Sequence, residues 1–367
     1  MKNEPMEDRT KELFGILGTP FAESGPNTEI SGERLDELFD FAFKNRVALL
    51  MLDRAELRGI ELTKNGRANL ELLRDRRHRT DEVLDKVTRI LDSKFKDEWV
   101  FFKTVKPFLS TPNDTDWFPF DTKKHQDMCD LLLKNGFEYL ENAPLQLTLI
   151  DSSGSGIADS DKRGGVWYLD CYRAPGADYF KYLDPSKMRK HFTRTEDSQG
   201  GYPILGDIGE FIATCFHNVF PEKTYSLESF YLICEYVKKI KTRGQMGDLV
   251  MTVRSNYVER AVSANLSVTI ELHKKYFGFV PPELLELIGV FTTGASEGKY
   301  ISHAEDDLPF NFSARTFWLC LIEKMRDPIS FRSMGTQLLH MLNPVFFWGV
   351  VTIIWKRSTG GGIYKQM

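Results

Sequence analysis

The sequence lacks the cysteine spacings that mark a zinc site or a disulfide framework. Its 367 residues include five cysteines, with no Cys-x-x-Cys pair and no spacing to a histidine that suits zinc. Thiols scattered in this way are typical of reduced side chains in a protein core. We therefore expect the five to be reduced and mostly buried, namely Cys129, Cys171, Cys215, Cys234 and Cys320.

A strong excess of positive charge is also missing. Lys and Arg together number 48 and Asp and Glu together number 52, which gives a formal net charge of -4. Proteins that hold nucleic acid irrespective of sequence need a basic field over much of their surface. The composition therefore argues against a general DNA-binding protein, and we expect no DNA partner.

The first residues, MKNEPMEDRTKELF, lack the apolar core of a secretory signal, which favours a cytoplasmic protein. One long stretch, from Ser333 to Trp355, has no charged residue, and Lys356 and Arg357 follow at once. Its strongly apolar part begins at Pro344 and is shorter than the roughly 20 residues that cross a bilayer core. Two interpretations stay open: a helix that packs on the protein, or peripheral membrane contact through residues 344–357.

Helical patterns dominate the first part of the chain. A serine cap followed by an acidic residue predicts a helix from Gly32 to Lys44, and VALLML follows as a short buried segment. A helix capped by Thr80 or Asp81 is predicted next, with an apolar face formed by Val83, Leu84, Val87, Ile90 and Leu91. The basic run 76–79 precedes that cap. We interpret it as a solvated loop in preference to a phosphate-binding one.

After Lys96 the pattern changes to strands. Aromatic and β-branched residues predict strands in EWVFFKTV, TDWFPF, FEYLE, LQLTLID and VWYLDCYR, and an apolar stripe predicts a helix over TKKHQDMCDLLLKNG that ends at Gly136. The expected order is helix, strand, strand, helix and then three strands. The loop SSGSGIADSDKRGG contains no Gly-Lys-Ser or Gly-Lys-Thr and is therefore not a P-loop.

From about Gly206 the pattern becomes helical and stays so, in amphipathic runs broken by Gly, Pro and Asn. The sequence contains no internal repeat. It predicts an α+β fold in four parts, namely a mostly helical segment 1–79, a core 80–200, a helical domain 201–332 and an apolar C-terminal segment 333–367.

Asp114 and Asp116 stand two residues apart at the start of the second strand, NDTDWFPF. Side chains alternate along a strand, so both carboxylates project from one side. Asp170, in VWYLDCYR, adds a third carboxylate from another strand. Carboxylate oxygens suit Mg²⁺ or Mn²⁺, and three of them on adjacent strands suit phosphoryl or nucleotidyl transfer. The alternative is a turn whose carboxylates cap backbone amides; the apolar residues on both sides favour the strand.

The succession FFKT, NDTDWFPF, CDLLLKNGFEYLE and YLDCY resembles the nucleotidyltransferase superfamily that includes DNA polymerase beta, and specifically its uncharacterised archaeal and bacterial minimal-type members. The resemblance covers roughly residues 80–240. It implies a mixed β-sheet with flanking helices, followed by a helical domain. It also implies transfer of a nucleoside monophosphate from a nucleoside triphosphate such as ATP to an acceptor hydroxyl, with Asp114, Asp116 and Asp170 as catalytic residues and ligands of Mg²⁺ or Mn²⁺.

One step departs from the family pattern. The Gly-Ser pair that holds the nucleotide phosphates is replaced here by Lys103-Thr104, so no glycine lets the backbone approach closely. In the resemblance Thr104 supplies the hydroxyl, and Lys103 and Lys106 act as point charges on the triphosphate. The alternative for both lysines is the solvated edge of a strand.

Two other functions stay open. A noncatalytic nucleotide-binding or antitoxin-like protein would keep the fold without turnover; the altered Lys103-Thr104 step favours it, and the intact acidic triad disfavours it. A membrane-attached enzyme acting on a lipid or surface glycan precursor rests on the C-terminal segment alone. The acceptor is also open, from sugar phosphates and small alcohols to RNA ends and protein hydroxyls, because specificity lies in the helical domain and its loops.

Overall fold

The computed structural model describes residues 6–22, 30–112, 114–151, 167–196, 201–291, 300–301, 308–344, 346–349 and 352. The chain divides into two compact units, termed the helical unit and the sheet unit. The helical unit comprises Met1–His78, Val105–Pro112 and Leu205–Lys324. The sheet unit comprises Arg79–Thr104, Asn113–Ile204 and Met325–Met367.

This grouping differs from the four parts expected from the sequence. Segment 1–79 shares a unit with most of 201–332, and segment 333–367 shares a unit with most of the predicted core 80–200. The stretch Val105–Pro112 leaves the sheet unit between its first two strands. Sequence periodicity identifies the elements, whereas their grouping depends on which apolar faces meet in space.

The helices, in chain order, are α1 (Met6–Leu17), α2 (Gly32–Lys44), α3 (Ala48–Leu57), α4 (Lys64–Phe95), α5 (His125–Lys134), α6 (Pro185–Met188), α7 (Asp207–Val219), α8 (Leu227–Thr242), α9 (Met246–Ser255), α10 (Glu259–Phe277), α11 (Pro282–Phe291), α12 (Ala314–Lys324) and α13 (Pro328–His340). Helix α2 has the bounds predicted from its cap, and the Ser31 hydroxyl accepts the Arg34 N–H at 3.3 Å. The buried segment VALLML forms the N-terminal cap and first part of α3.

Helix α4 begins sixteen residues earlier than the cap at Thr80 predicted, so that part of the prediction is wrong. Thr80 is fully buried inside the helix and does not cap it. The basic run 76–79 is therefore helical and not a loop. From Arg67 onward no Gly or Pro interrupts a run of good helix formers, so propagation continues through the basic residues. The apolar face of its second half is confirmed, with Val83, Leu84, Val87 and Leu91 buried.

The strands are β1 (Trp99–Phe101), β2 (Asp114–Pro119), β3 (Glu138–Ala143), β4 (Gln146–Asp151), β5 (Trp167–Tyr172), β6 (Gly176–Ala177), β7 (Phe180–Lys181), β8 (Phe192–Arg194), β9 (Pro203–Leu205), β10 (Thr224–Tyr225) and β11 (Phe310–Asn311). The predicted order from α4 to β5 is confirmed. The short strands β8 and β9 were missed, because three residues carry too little pattern to show. The predicted loop SSGSGIADSDKRGG lies outside the described residues.

One mixed sheet of seven described strands runs in the order β3-β4-β5-β2-β1-β9-β8. β2 pairs in parallel with β5 and antiparallel with β1, and β4 joins β5 antiparallel. With its flanking helices this sheet confirms the α+β fold. β5 and β2 are neighbours in the middle of the sheet, and each is hydrogen-bonded to another strand along both of its edges. Side chains on these two strands are therefore held in fixed positions.

Two helices cover one face of the sheet. Helix α4 lies against it through Asp92, whose carboxylate accepts the Trp99 indole N–H at 3.1 Å. Helix α5 lies against β5, where His125 Nε2 is 2.9 Å from the Cys171 carbonyl oxygen. The Trp117 indole N–H points to Cys171 Sγ at 3.2 Å in the same layer. All five cysteines are free and buried, which confirms the expectation of reduced, mostly buried thiols.

Candidate metal centre

Strand β2 begins at Asp114 and carries the Asp-x-Asp pair. Thr115 and Trp117 project towards the helices, where Thr115 Oγ1 accepts the Trp167 indole N–H at 2.8 Å and Trp117 stacks on His125. Alternation therefore directs Asp114 and Asp116 to the opposite face. The strand prediction is confirmed for residues 114–119, and the turn alternative is wrong.

Asp170 joins the pair because β5 runs parallel to β2 in a defined register. That register sets Asp170 directly beside Asp116. The candidate ligand oxygens of Asp114, Asp116 and Asp170 all lie within 4.8 Å of one another. Two oxygens bound to one magnesium ion at about 2.1 Å each lie about 3 to 4.2 Å apart, so small side-chain rotations would let the three share an ion. The triad is thus a group that could hold a metal ion.

Lys103 follows β1 and supplies a positive charge to the triad. Its Nζ lies 2.9 Å from Asp116 Oδ2, and the ammonium also lies over the rings of Phe102, at 4.7 Å, and Tyr172, at 5.6 Å. Its backbone φ is +62°, in the left-handed region that glycine adopts freely and other residues disfavour. The backbone of Lys103 therefore adopts a conformation that glycine would adopt more easily.

Thr104 and Lys106 have other partners. The buried Thr104 hydroxyl accepts the backbone N–H of Asp116 at 2.9 Å, which ties the end of β1 to β2. Lys106 belongs to the helical unit, where its ammonium forms an ion pair with the buried Glu228. Three residues were predicted to bind the nucleotide. Among the described contacts, Lys103 forms an ion pair with the triad, whereas Lys106 pairs with Glu228.

No protein-family profile, no curated protein and no solved structure matches the chain. Three carboxylates and one ammonium converge on one face of a central strand pair, and their charges set what the site can bind.

Burial and mutual repulsion hold protons on the triad. Burial, and then the neighbouring charges of Asp114 and Asp170, raise the pKa of Asp116, although Lys103 opposes the rise. Burial and the charge of Asp114 raise the pKa of Asp170 to about 6. Burial is the largest effect on Lys103 and lowers its pKa, but the charges of Asp116, Tyr182 and Asp114 and the hydrogen bond to Asp116 together outweigh it, so the pKa is raised. The ammonium thus stays charged, and the carboxylates would favour a further cation.

These shifts predict how stability depends on pH. A carboxyl group whose folded-state pKa is above its unfolded value of 3.8 binds more protons in the folded than in the unfolded state, so its contribution to stability falls as pH rises from about 4 through 6. A divalent cation competes with those protons and should stabilise more as they leave. We expect the gain in melting temperature from added Mg²⁺ or Mn²⁺ to grow between pH 5 and pH 7.5.

The matched control for this pH series is Asp170→Asn, which removes the group that titrates near pH 6. Its metal-dependent gain should be small and should change less over the same range. A gain in the unaltered protein that is constant from pH 5 to pH 7.5 would contradict the assignment of protons to the triad.

Asp170 is itself held by neighbours on β4 that sequence reasoning missed. The Thr148 hydroxyl donates to Asp170 Oδ1 at 2.7 Å, and the Gln146 side-chain amide donates to Thr148 Oγ1 at 3.2 Å. Thr148 and Gln146 each favour the charged carboxylate by hydrogen bonding to Asp170, and so partly offset the rise in its pKa. Thr148 stands directly opposite Asp170 across the β4–β5 pair. The register of β4 against β5 is what identifies Thr148 as a neighbour of Asp170.

We predict that Thr148→Val weakens the binding of a divalent cation at the triad by about 10- to 100-fold, the usual effect of losing a group that orients a ligand. Valine keeps the shape and removes the hydroxyl, so the Asp170 carboxylate loses its fixed orientation. Thr148→Ser retains the donor and should retain most of the metal affinity. Equal losses in the two variants, measured with melting temperatures alongside, would show that only packing at this position matters.

Proposed function

We propose that the protein is a divalent-metal-dependent nucleotidyltransferase, which moves a nucleoside monophosphate from a nucleoside triphosphate to an acceptor hydroxyl and releases pyrophosphate. The observation that supports this proposal most is the triad. Three carboxylates from two adjacent parallel strands, with ligand oxygens within 4.8 Å, form a donor set suited to a hard cation and a polyphosphate.

Asp114, Asp116 and Asp170 would hold Mg²⁺ or Mn²⁺, which supplies positive charge to the triphosphate when bound. The donor set fits these ions because it consists of carboxylate oxygens, with no thiolate or imidazole among the three. Once their protons have left, the three carboxylates and the Lys103 ammonium together carry two negative charges, which one divalent ion balances. Burial strengthens the attraction because solvent screening is reduced.

In the proposed reaction the acceptor oxygen attacks the α-phosphorus. The bond between that phosphorus and the oxygen bridging to the β-phosphate breaks, and pyrophosphate leaves. The hydroxyl proton passes to Asp170 Oδ2, since Oδ1 already accepts the Thr148 hydroxyl. A pKa raised to about 6 suits a base that works near neutral pH.

Lys103 is proposed to bind phosphate oxygens during this reaction. Its ammonium already lies at the triad, so a short movement away from Asp116 would bring it to a triphosphate held there. Charge-assisted contacts of this kind are roughly twice as strong as neutral hydrogen bonds. The role matches the one expected from the sequence, and the glycine-like bend directs the side chain to it.

The test is label transfer. The full chain is incubated with each nucleoside triphosphate, labelled at the α-phosphate, and with cell extract as the source of acceptors, with and without Mg²⁺ or Mn²⁺. Transfer of label that requires the ion and fails in Asp116→Asn supports the proposal. Hydrolysis without transfer, or transfer that survives both EDTA and the substitution, contradicts it.

A second candidate is a nucleotide-binding protein without turnover. The ion pair between Lys103 and Asp116 favours it, because an ammonium at 2.9 Å already satisfies part of the negative charge that a metal would otherwise take. Thermal melting distinguishes binding from catalysis: a nucleoside triphosphate with Mg²⁺ should raise the melting temperature in both cases, and only the enzyme should release pyrophosphate.

A further inference from the structure

Helix α13 packs on the β6–β7 hairpin of the sheet unit through its polar side. Ser330 Oγ donates to the Lys181 carbonyl oxygen at 2.9 Å, and the Lys181 N–H donates to Ser333 Oγ at 3.0 Å. One turn further, the Tyr179 N–H donates to Gln337 Oε1 at 2.9 Å. The helix is thus fixed to the β6–β7 hairpin by hydrogen bonds, the reverse of the usual arrangement in which an apolar stripe faces the protein.

The same packing leaves apolar side chains in solvent. Leu338, Leu339 and Leu342 are 57%, 68% and 79% exposed, and Trp348 is 65% exposed. They form the C-terminal apolar face, which is defined here by Phe331, Leu338, Leu339, Leu342, Phe347 and Trp348. Single exposed apolar residues are ordinary on protein surfaces, whereas a cluster on one short segment indicates an interaction site.

The charge of the surrounding sequence indicates what this face contacts. From Pro328 to Met367 there is no Asp or Glu, although the whole chain contains 52 and is net negative. The charged residues in that stretch are all basic, namely Arg332, Lys356, Arg357 and Lys365. A segment whose charged residues are all basic, and whose described part exposes Leu, Phe and Trp, complements anionic lipid headgroups over an apolar interior, and Trp is enriched at such interfaces.

We propose that the C-terminal apolar face docks on the surface of a bilayer that contains anionic lipids. In the described part of the chain no helix is long and apolar enough to cross a bilayer. The proposed contact is interfacial, with the leucines at the depth of the acyl boundary. This inference does not depend on the proposed chemistry. It would hold the sheet unit, which carries the triad, at a membrane surface.

The test uses the full chain and vesicles. Co-sedimentation is measured with vesicles of phosphatidylcholine alone and of phosphatidylcholine mixed with phosphatidylglycerol, at low and at high salt. We expect binding to the anionic vesicles, weaker binding to the neutral ones, and partial release by salt because the electrostatic part is screened. The triple variant Leu338→Ser/Leu339→Ser/Leu342→Ser should lose about tenfold or more in binding, since three apolar contacts are removed.

The matched control is Leu57→Ser/Met251→Ser/Leu285→Ser, which replaces three exposed apolar residues of the helical unit. It should bind vesicles like the unaltered protein. Because the leucines on α13 are exposed, both variants should melt normally, and circular dichroism checks this. The inference is overturned by absence of vesicle binding, by equal binding of the α13 variant, or by a dimer in solution that the α13 substitutions dissociate, which would make a second copy the partner.

Discussion

Asp116→Asn is expected to abolish metal binding at the triad and to lower nucleotide transfer by at least about a hundredfold. Replacing a group that merely orients a metal ligand lowers affinity or activity by about 10- to 100-fold, and Asp116 is proposed as a ligand itself. It is also the most buried of the three carboxylates, at 6% exposed, and its backbone is fixed to Thr104 and β5. An amide cannot carry the charge that holds the ion.

The fold should survive this change. Asparagine has nearly the same shape, and it relieves the repulsion from Asp114 and Asp170 that raises the pKa of Asp116. Lys103 loses one partner, yet Asp114 also stabilises its charge. We therefore expect a melting temperature close to that of the unaltered protein without metal. Asp130→Asn, on the exposed side of α5, is the control and should change neither property. Transfer by Asp116→Asn at a normal rate would remove the triad from the proposed site.

Lys103→Met should have opposite effects on metal and on nucleotide. Removing a fixed positive charge next to the carboxylates should tighten Mn²⁺ binding in the absence of nucleotide by about tenfold or more, because the ion no longer shares them with an ammonium. The same change should weaken triphosphate affinity by roughly 1.5–3 kcal/mol, the scale of a lost charge-assisted hydrogen bond. Titration of the full chain with Mn²⁺, and then with nucleotide, measures both.

Lys124→Met is the control for this pair of measurements. Lys124 forms an ion pair with Glu98 at the surface of the same unit, and its loss should alter neither affinity. If Lys103→Met tightens metal binding and leaves nucleotide affinity unchanged, Lys103 balances the charge of the triad and does not bind phosphate. If metal affinity does not change, the ammonium does not compete with the ion.

The sequence predicted the carboxylates because their arrangement follows from local rules. Alternation along β2 puts Asp114 and Asp116 on one face, and a polar residue inside the apolar run of β5 marks Asp170. What the sequence could not supply was register. The pairing of β2 with β5 spans residues that belong to α5, β3 and β4, and pattern alone does not fix which strands become neighbours.

The conformation of Lys103 was unpredictable for a different reason. The left-handed bend is expected where glycine stands, and a lysine there argues against it from local preference. Tertiary contacts decide the outcome, since the ion pair with Asp116 exists only in the folded sheet. Helix α13 shows the same limit, because the sequence left open how the C-terminal segment packs, whereas hydrogen bonds to the β6–β7 hairpin fix the orientation of this helix.

The parallel pairing of β2 with β5 also bears on how the protein folds. Asp116 and Asp170 are far apart in the chain, so the two strands can meet only after a long loop closes, and contacts of that kind form slowly. The antiparallel β3–β4 hairpin lies within that loop and can form first, because its partners are close in sequence. We therefore expect the carboxylates to come together late in folding, when their repulsion opposes strand docking. A divalent ion that bridges both strands would act mainly after the transition state, and would slow unfolding more than it accelerates folding.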